Sequence, residues 1–197
     1  MALGRRRTLN VDTYFVKFNP WHTAFMDTIH AAFPKVRCLF IYREPTEMLV
    51  SVVKTPAPIM SNIRGTPFAA VLSKLSVEQT QQVSYVEYFA KIYQNFMHAA
   101  LHSTIPNLKY LNYSHLKAED LPLILAQSFG YHPAFEELVL MQQQFDYYSK
   151  DDKKSIYFSC DKAAKHELIT PEVQQAVKQC ELDRLYAQLE QTATNLF

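Results

Sequence analysis

Between residues 14 and 54 (YFVKFNPWHTAFMDTIHAAFPKVRCLFIYREPTEMLVSVVK) the hydrophobic pattern changes period several times. Residues 14–18 alternate weakly and are rich in β-formers, which predicts a short strand closed by Lys17. Asn19-Pro20 breaks it, because proline has no N–H to give to a ladder. Phe25, Ile29 and Phe33 recur at helical spacing and predict a helix over residues 21–33, stopped by Pro34. Residues 36–42 are an apolar run interrupted only by Arg37, the pattern of a strand buried on both faces. Arg43-Glu44-Pro45 then turns the chain into a helix that runs to Lys54. Pro45 suits its first position, and the helix dipole favours Glu47 in its first turn. Two strands, each ending in a cation and separated by a helix, predict a parallel sheet with a polar site at its carboxyl edge.

Beyond Lys54 the pattern is mostly helical. Residues 55–67 hold three prolines and a glycine and read as a loop, either a substrate entrance or a solvated connection. Ser76-Val77-Glu78-Gln79 is a capping box that opens a long helix. Val83, Val86, Phe89, Ile92, Phe96 and Ala100 mark the buried face of that helix, with Tyr85, Tyr88 and Tyr93 beside it. Pro106 ends the segment, and residues 108–113 predict a third strand. A helix over residues 116–129 closes at Gly130, its first turn disturbed by Pro122. Another covers residues 133–147, followed by a polar loop from Ser149 to Ser155. Thr170 and Pro171 open a last helix as N-cap and first residue. Val173, Val177, Cys180, Leu185 and Leu189 form its apolar face. No internal repeat or composition shift divides the chain, so residues 1–197 are read as one unit.

Composition narrows the function. A net charge of +1 gives no global field for nucleic acid, so any anion site is local. Only three glycines are present, which leaves little scope for a glycine-rich phosphate loop. Three cysteines at wide spacings (Cys38, Cys160, Cys180) suit free thiols in a reducing, cytoplasmic setting. The chain holds no apolar run of about 18 residues, so no membrane span is predicted. Arg5, Arg6 and Arg7 either touch a phosphate or form a solvated terminus.

The familiar catalytic motifs are missing. His166-Glu167 starts like a zinc-protease motif, but Thr170 stands where the second histidine belongs. No G-x-S-x-G, Walker A or G-x-G-x-x-G segment occurs, and no Cys/His spacing fits zinc, so no metal is expected. Lys17, His22, Arg43 and Ser51 remain. Arg43 offers a fork of donors to a phosphate and Ser51 adds a hydroxyl. Lys17 places a point charge for a transferring oxyanion, and His22 is of the residue type that serves as a general base. Each has a plainer alternative. Arg43 pairs with Glu44 or Glu47, and His22 only caps its helix.

These residues resemble the middle of a sulfotransferase domain. That family shows K-[x]-P-x-H, a helix ending in F-P, an apolar strand ending in R-[DE]-P, and a serine eight residues after the arginine. Here the elements are Lys17, Pro20, His22, Phe33-Pro34, Arg43-Glu44-Pro45 and Ser51, with one extra residue between Lys17 and His22. Residues 108–116 are similar to the next strand of the family, although Asn112 replaces the usual partner there. Phe158, Asp161 and Lys165 are family-like but weakly specific. The resemblance implies an α/β, P-loop NTPase-like three-layer fold and the donor 3'-phosphoadenosine-5'-phosphosulfate. It implies that Arg43 and Ser51 bind the donor's 3'-phosphate and that Lys17 steadies the transferring sulfuryl group. His22 would deprotonate an acceptor hydroxyl on a small molecule, lipid or carbohydrate.

One family element is missing. The family opens with a strand and a loop resembling G-x-x-R-[ST]-G-[ST]-[ST], whose amides cradle the 5'-phosphosulfate. No such loop occurs, so the chain is expected to match the C-terminal two-thirds of a sulfotransferase domain, with few short parallel strands and a helix-rich C-terminal part. Without the first strand, an open sheet edge is expected to pair with a partner or a second copy.

Overall fold

In the computed structural model, residues 13–55, 58–106, 108–146, 169–192 and 196–197 are described. Arg5 to Arg7, the Ser149 to Ser155 loop, Phe158, Cys160, Asp161, Lys165 and His166 lie outside the described residues. The fold is mixed α/β, mostly helical, with a small parallel sheet of two strands among the described residues. Strand β1 (Leu39–Tyr42) and strand β2 (Lys109–Asn112) pair in register from Leu39 with Lys109 to Tyr42 with Asn112.

In chain order, a 3-10 turn (Pro20–Phe25) leads to α1 (Met26–Ala32), β1, α2 (Pro45–Lys54), α3 (Pro58–Asn62), α4 (Pro67–Ser73), α5 (Val77–Gln82) and α6 (Tyr85–Leu101). After β2 come α7 (Leu121–Phe129), α8 (Phe135–Gln142), α9 (Pro171–Gln179) and α10 (Leu182–Glu190). Helix α6 is the hub. It packs against α2, α4, α9, α10 and the 3-10 turn. Its buried residues include Val86, Tyr88, Phe89, Ile92, Tyr93, Phe96 and Met97, too wide a set for a single stripe. A helix surrounded on most sides needs apolar residues on most sides. The Tyr110 hydroxyl donates to the Ala100 carbonyl over 2.6 Å and fastens β2 to the end of α6.

The helix expected after Ser76 is two helices. Ser76 closes the capping box with Gln79, accepting from the Gln79 N–H over 3.2 Å. At Val83 and Ser84 the backbone is extended, and the Ser84 hydroxyl caps α6 by accepting from the Glu87 N–H over 3.1 Å. Arg64, in the turn between α3 and α4, takes up the carbonyls that α5 leaves free. It donates to Thr80 O at 2.7 Å and Gln81 O at 3.2 Å, and also to Val83 O. The last predicted helix likewise divides, at Glu181, whose φ is +50°. Val173, Val177, Cys180, Leu185 and Leu189 are all buried as expected. Gly130 ends α7 at φ +64°, the left-handed turn a glycine adopts without strain.

Three expectations need correction. Residues 14–18 form no strand, and Lys17 is an exposed side chain on irregular backbone. Phe15 of this segment packs edge-on against Phe129 and Tyr131, each at 5.2 Å, so ring contacts rather than a ladder hold it. The run over residues 36–42 yields strand only from Leu39, and Ile41 is 45% exposed, so this strand is not covered on both faces. With one neighbour strand, the sheet is too narrow for full cover. Residues 55–67 include α3 and are not a bare loop. Along β1, Cys38 O accepts from Lys109 N at 3.1 Å, so Cys38, Phe40 and Tyr42 face β2 while Leu39 and Ile41 turn their N–H and C=O groups outward. Cys38 and Cys180 are free, and burial pushes both thiols up. No helix among the described residues is long and apolar enough to cross a membrane.

Candidate functional site

The carboxyl end of the sheet is where the candidate residues are best defined. Parallel register brings the residues that follow the two strands side by side, Arg43 after β1 and Tyr113 after β2. The Arg43 guanidinium carbon lies 4.0 Å from the centre of the Tyr113 ring. Such a contact contributes about 0.5–2 kcal/mol. Its backbone is clamped by one side chain of α6. Arg43 N–H donates to the Tyr93 hydroxyl at 3.0 Å, and that hydroxyl donates to Arg43 O at 2.6 Å. Burial pushes the Tyr93 phenol well above its ordinary value, and Glu44 pushes it the same way, while the bond to Arg43 and the Arg43 charge oppose.

Glu44 does not neutralise Arg43. Its carboxylate caps α2, accepting from Thr46 N at 2.9 Å and Glu47 N at 2.6 Å. Among the described residues no ion pair joins Arg43 to Glu44 or Glu47. The Arg43 Nε is buried and has no hydrogen-bond partner. A stranded buried donor costs about 1–3 kcal/mol, a cost that an anion accepting from it would remove.

Behind the arginine, the sheet end is locked to α10. Tyr42 donates to Glu190, and Asn112 Nδ2 donates to Tyr186 Oη at 2.6 Å and to Glu190 Oε1 at 2.9 Å. Asn112 Oδ1 accepts from the Ser114 N–H at 3.0 Å and its hydroxyl at 2.9 Å. Both ends of the Asn112 amide are thereby used, which makes it a structural joint. Burial raises the Tyr186 phenol, and the nearby carboxylates of Glu190, Glu44 and Glu47 push it the same way, against the bond to Asn112.

The other predicted residues stand apart from this cluster. Ser51 is half-buried on α2, about 9 Å of helix rise beyond Pro45. No hydrogen bond joins it to Arg43. His22 is half-buried in the 3-10 turn, its ring 5.2 Å from Phe18 and 5.7 Å from Trp21. Its Nδ1 lies 3.1 Å from Asn19 O, a local contact within the turn, and no side chain caps this 3-10 segment. A carbonyl only accepts, so this bond places the proton on Nδ1 and leaves the Nε2 lone pair free. The same turn borders a pocket of about 180 Å³ whose lining includes Thr23, Asp27, Thr28, Ala99 and His102. Ala99 and His102 lie six and nine residues beyond Tyr93, so the turn and Arg43 meet α6 at levels about 9–14 Å apart. No hydrogen bond, ion pair or ring contact joins Lys17 or His22 to Arg43 or Ser51.

Tyr93, Tyr113, Tyr186 and Glu190 belong to the cluster but do not stand out in the sequence. For Tyr113 a signal existed, since the residue after one parallel strand neighbours the residue after the other. Among the described residues no group of three or more His, Cys, Asp and Glu side chains is placed to hold a metal ion. No protein-family model, curated protein or solved structure matches this chain.

Proposed function

We propose that this chain is a sulfotransferase-like protein that binds the 3'-phosphate of 3'-phosphoadenosine-5'-phosphosulfate at Arg43, with Ser51 as a second donor. The observation that carries this reading is the Arg43 guanidinium. It follows a parallel strand, rests on Tyr113, is free of any described carboxylate and keeps a buried N–H unspent. The two-stranded parallel sheet belongs, on this reading, to a P-loop-type three-layer fold. In the reaction an acceptor hydroxyl oxygen bonds to sulfur as the sulfur–oxygen bond to the 5'-phosphate breaks. Adenosine 3',5'-bisphosphate leaves, the hydroxyl proton passes to His22 Nε2, and Lys17 steadies the transferring group. That step requires Lys17 and His22 to approach the donor. Titration with adenosine 3',5'-bisphosphate, followed by calorimetry and melting temperature, tests donor binding. A saturable response lost in Arg43→Ala and weakened in Arg43→Lys is expected. No response, or one unchanged in Arg43→Ala, refutes it. Transfer of label from the ³⁵S-labelled donor to a hydroxyl acceptor, lost in His22→Ala, tests the chemistry separately.

A second reading is a non-catalytic interaction module on the same scaffold. It is favoured by the outward N–H and C=O groups of Leu39 and Ile41, with Ile41 45% exposed beside them. Light scattering after size exclusion tests self-association. A mass that stays at one chain across concentration counts against a homo-oligomer.

A further inference from the structure

The end of α6 carries two histidines one helical turn apart, His98 and the C-cap residue His102. Their ring centroids are 5.7 Å apart, with the planes inclined by 35°. His102 Nδ1 lies 2.9 Å from the His98 carbonyl oxygen. As that oxygen can only accept, the His102 proton sits on Nδ1 and Nε2 presents a lone pair. The His98 ring makes no hydrogen bond among the described residues.

We propose that His98 and His102 form a two-histidine chelate for a divalent transition cation that prefers imidazole, such as Zn²⁺, Ni²⁺ or Cu²⁺. The class follows from the ligands, since imidazole suits these ions and not Mg²⁺ or Ca²⁺. Two Nε2 donors about 2.0–2.1 Å from one ion, at about 90–110° to each other, hold ring centroids about 4.5–5.2 Å apart. The observed 5.7 Å is wider, so ligation requires the exposed His102 ring to turn inward and lengthen its Nδ1 contact with His98 O. The helix carbonyl end adds attraction for a cation. Near His98 the Glu181 carboxylate is paired with Arg184 at 2.8 Å, so the two charges offset, and His102 also lines the neighbouring pocket. Two protein ligands place the site in a weaker class than three- or four-ligand zinc centres. The proposal shares no residue with the Arg43 cluster, so either stands or falls without the other.

The test uses the full chain without a histidine tag, in chelator-free buffer. Ni²⁺ and Zn²⁺ are titrated by calorimetry and melting temperature, with Mg²⁺ as control, and Cu²⁺ is followed by electron paramagnetic resonance. One equivalent of Ni²⁺ or Zn²⁺ is expected to bind and raise the melting temperature, with nitrogen hyperfine structure on Cu²⁺ and no response to Mg²⁺. His98→Ala and His102→Asn each weaken binding more than about tenfold, since loss of even an outer-shell partner costs about 10–100-fold. His132→Ala leaves binding unchanged. Absence of saturable binding overturns the proposal. So does binding that survives both His98→Ala and His102→Asn while their unliganded melting temperatures match the parent.

Discussion

Helix α6 offers a matched pair of substitutions, Tyr93→Phe and Tyr88→Phe, each removing one buried hydroxyl and keeping the ring. Tyr93 is 8% exposed and Tyr88 is fully buried. The Tyr93 hydroxyl bonds both the N–H and the C=O of Arg43, at 3.0 Å and 2.6 Å. The Tyr88 hydroxyl is buried with no partner. A hydrogen bond contributes a net ~0.5–1.5 kcal/mol, and a polar group left stranded costs ~1–3 kcal/mol more. Tyr93→Phe loses two bonds and strands the Arg43 backbone, so a loss of about 2–3 kcal/mol is expected. For a chain of this size that lowers the melting temperature by about 5–10 °C. Tyr88→Phe removes a group that gave up water for nothing, so it is expected to be neutral or stabilising. Urea unfolding of both variants, read as a midpoint change at constant slope, measures the difference. If Tyr88→Phe destabilises as much as Tyr93→Phe, the reasoning fails, because removal of a ring hydroxyl and not its bonding would then set the cost.

Ser84→Ala is expected to cost about 1 kcal/mol by removing the cap of α6, measured by urea unfolding, with Ser84→Asn restoring most of it. At alkaline pH, burial raises the Tyr88 phenol to about 12 and the Tyr93 phenol further. Both groups keep their protons in the folded state after the unfolded chain has lost them near pH 10. Their contribution is complete below that value and is lost as pH rises through the folded values, so melting temperature falls from about pH 10 upward. Tyr88→Phe makes that fall shallower, and an unchanged slope would refute the assignment.

Local chemistry made much of the fold legible. Pro45, Pro171 and Gly130 open or close helices because of backbone geometry that these residues carry with them. The Ser76 box, the Thr170 cap and the buried faces of α9 and α10 follow from spacing, whereas the α6 core reaches past its predicted face to Tyr88, Tyr93 and Met97. The candidate site was legible only in part. Arg43 stood out because it ends an apolar run, yet Tyr93 and Glu190 reach the sheet end from helices 50 and 148 residues further along the chain.

Residues 14–18 show the limit. Their alternation satisfies the requirement for a strand, but a strand also needs a neighbour to take its N–H and C=O groups. Lys17 therefore ends no strand, and the expected meeting of two strand-borne cations is reduced to Arg43. Val83 and Glu181 show the converse. Apolar periodicity continued through each, and tertiary contacts divided the helices there: Arg64 takes up the carbonyls that α5 leaves free, and Cys180 and Leu182 are buried on either side of Glu181. Sequence alone determined which segments prefer helix and where caps hold them, because those preferences act within a turn. Only the tertiary structure decided which strands found partners and which polar groups were left unspent, because both depend on segments far apart in the chain.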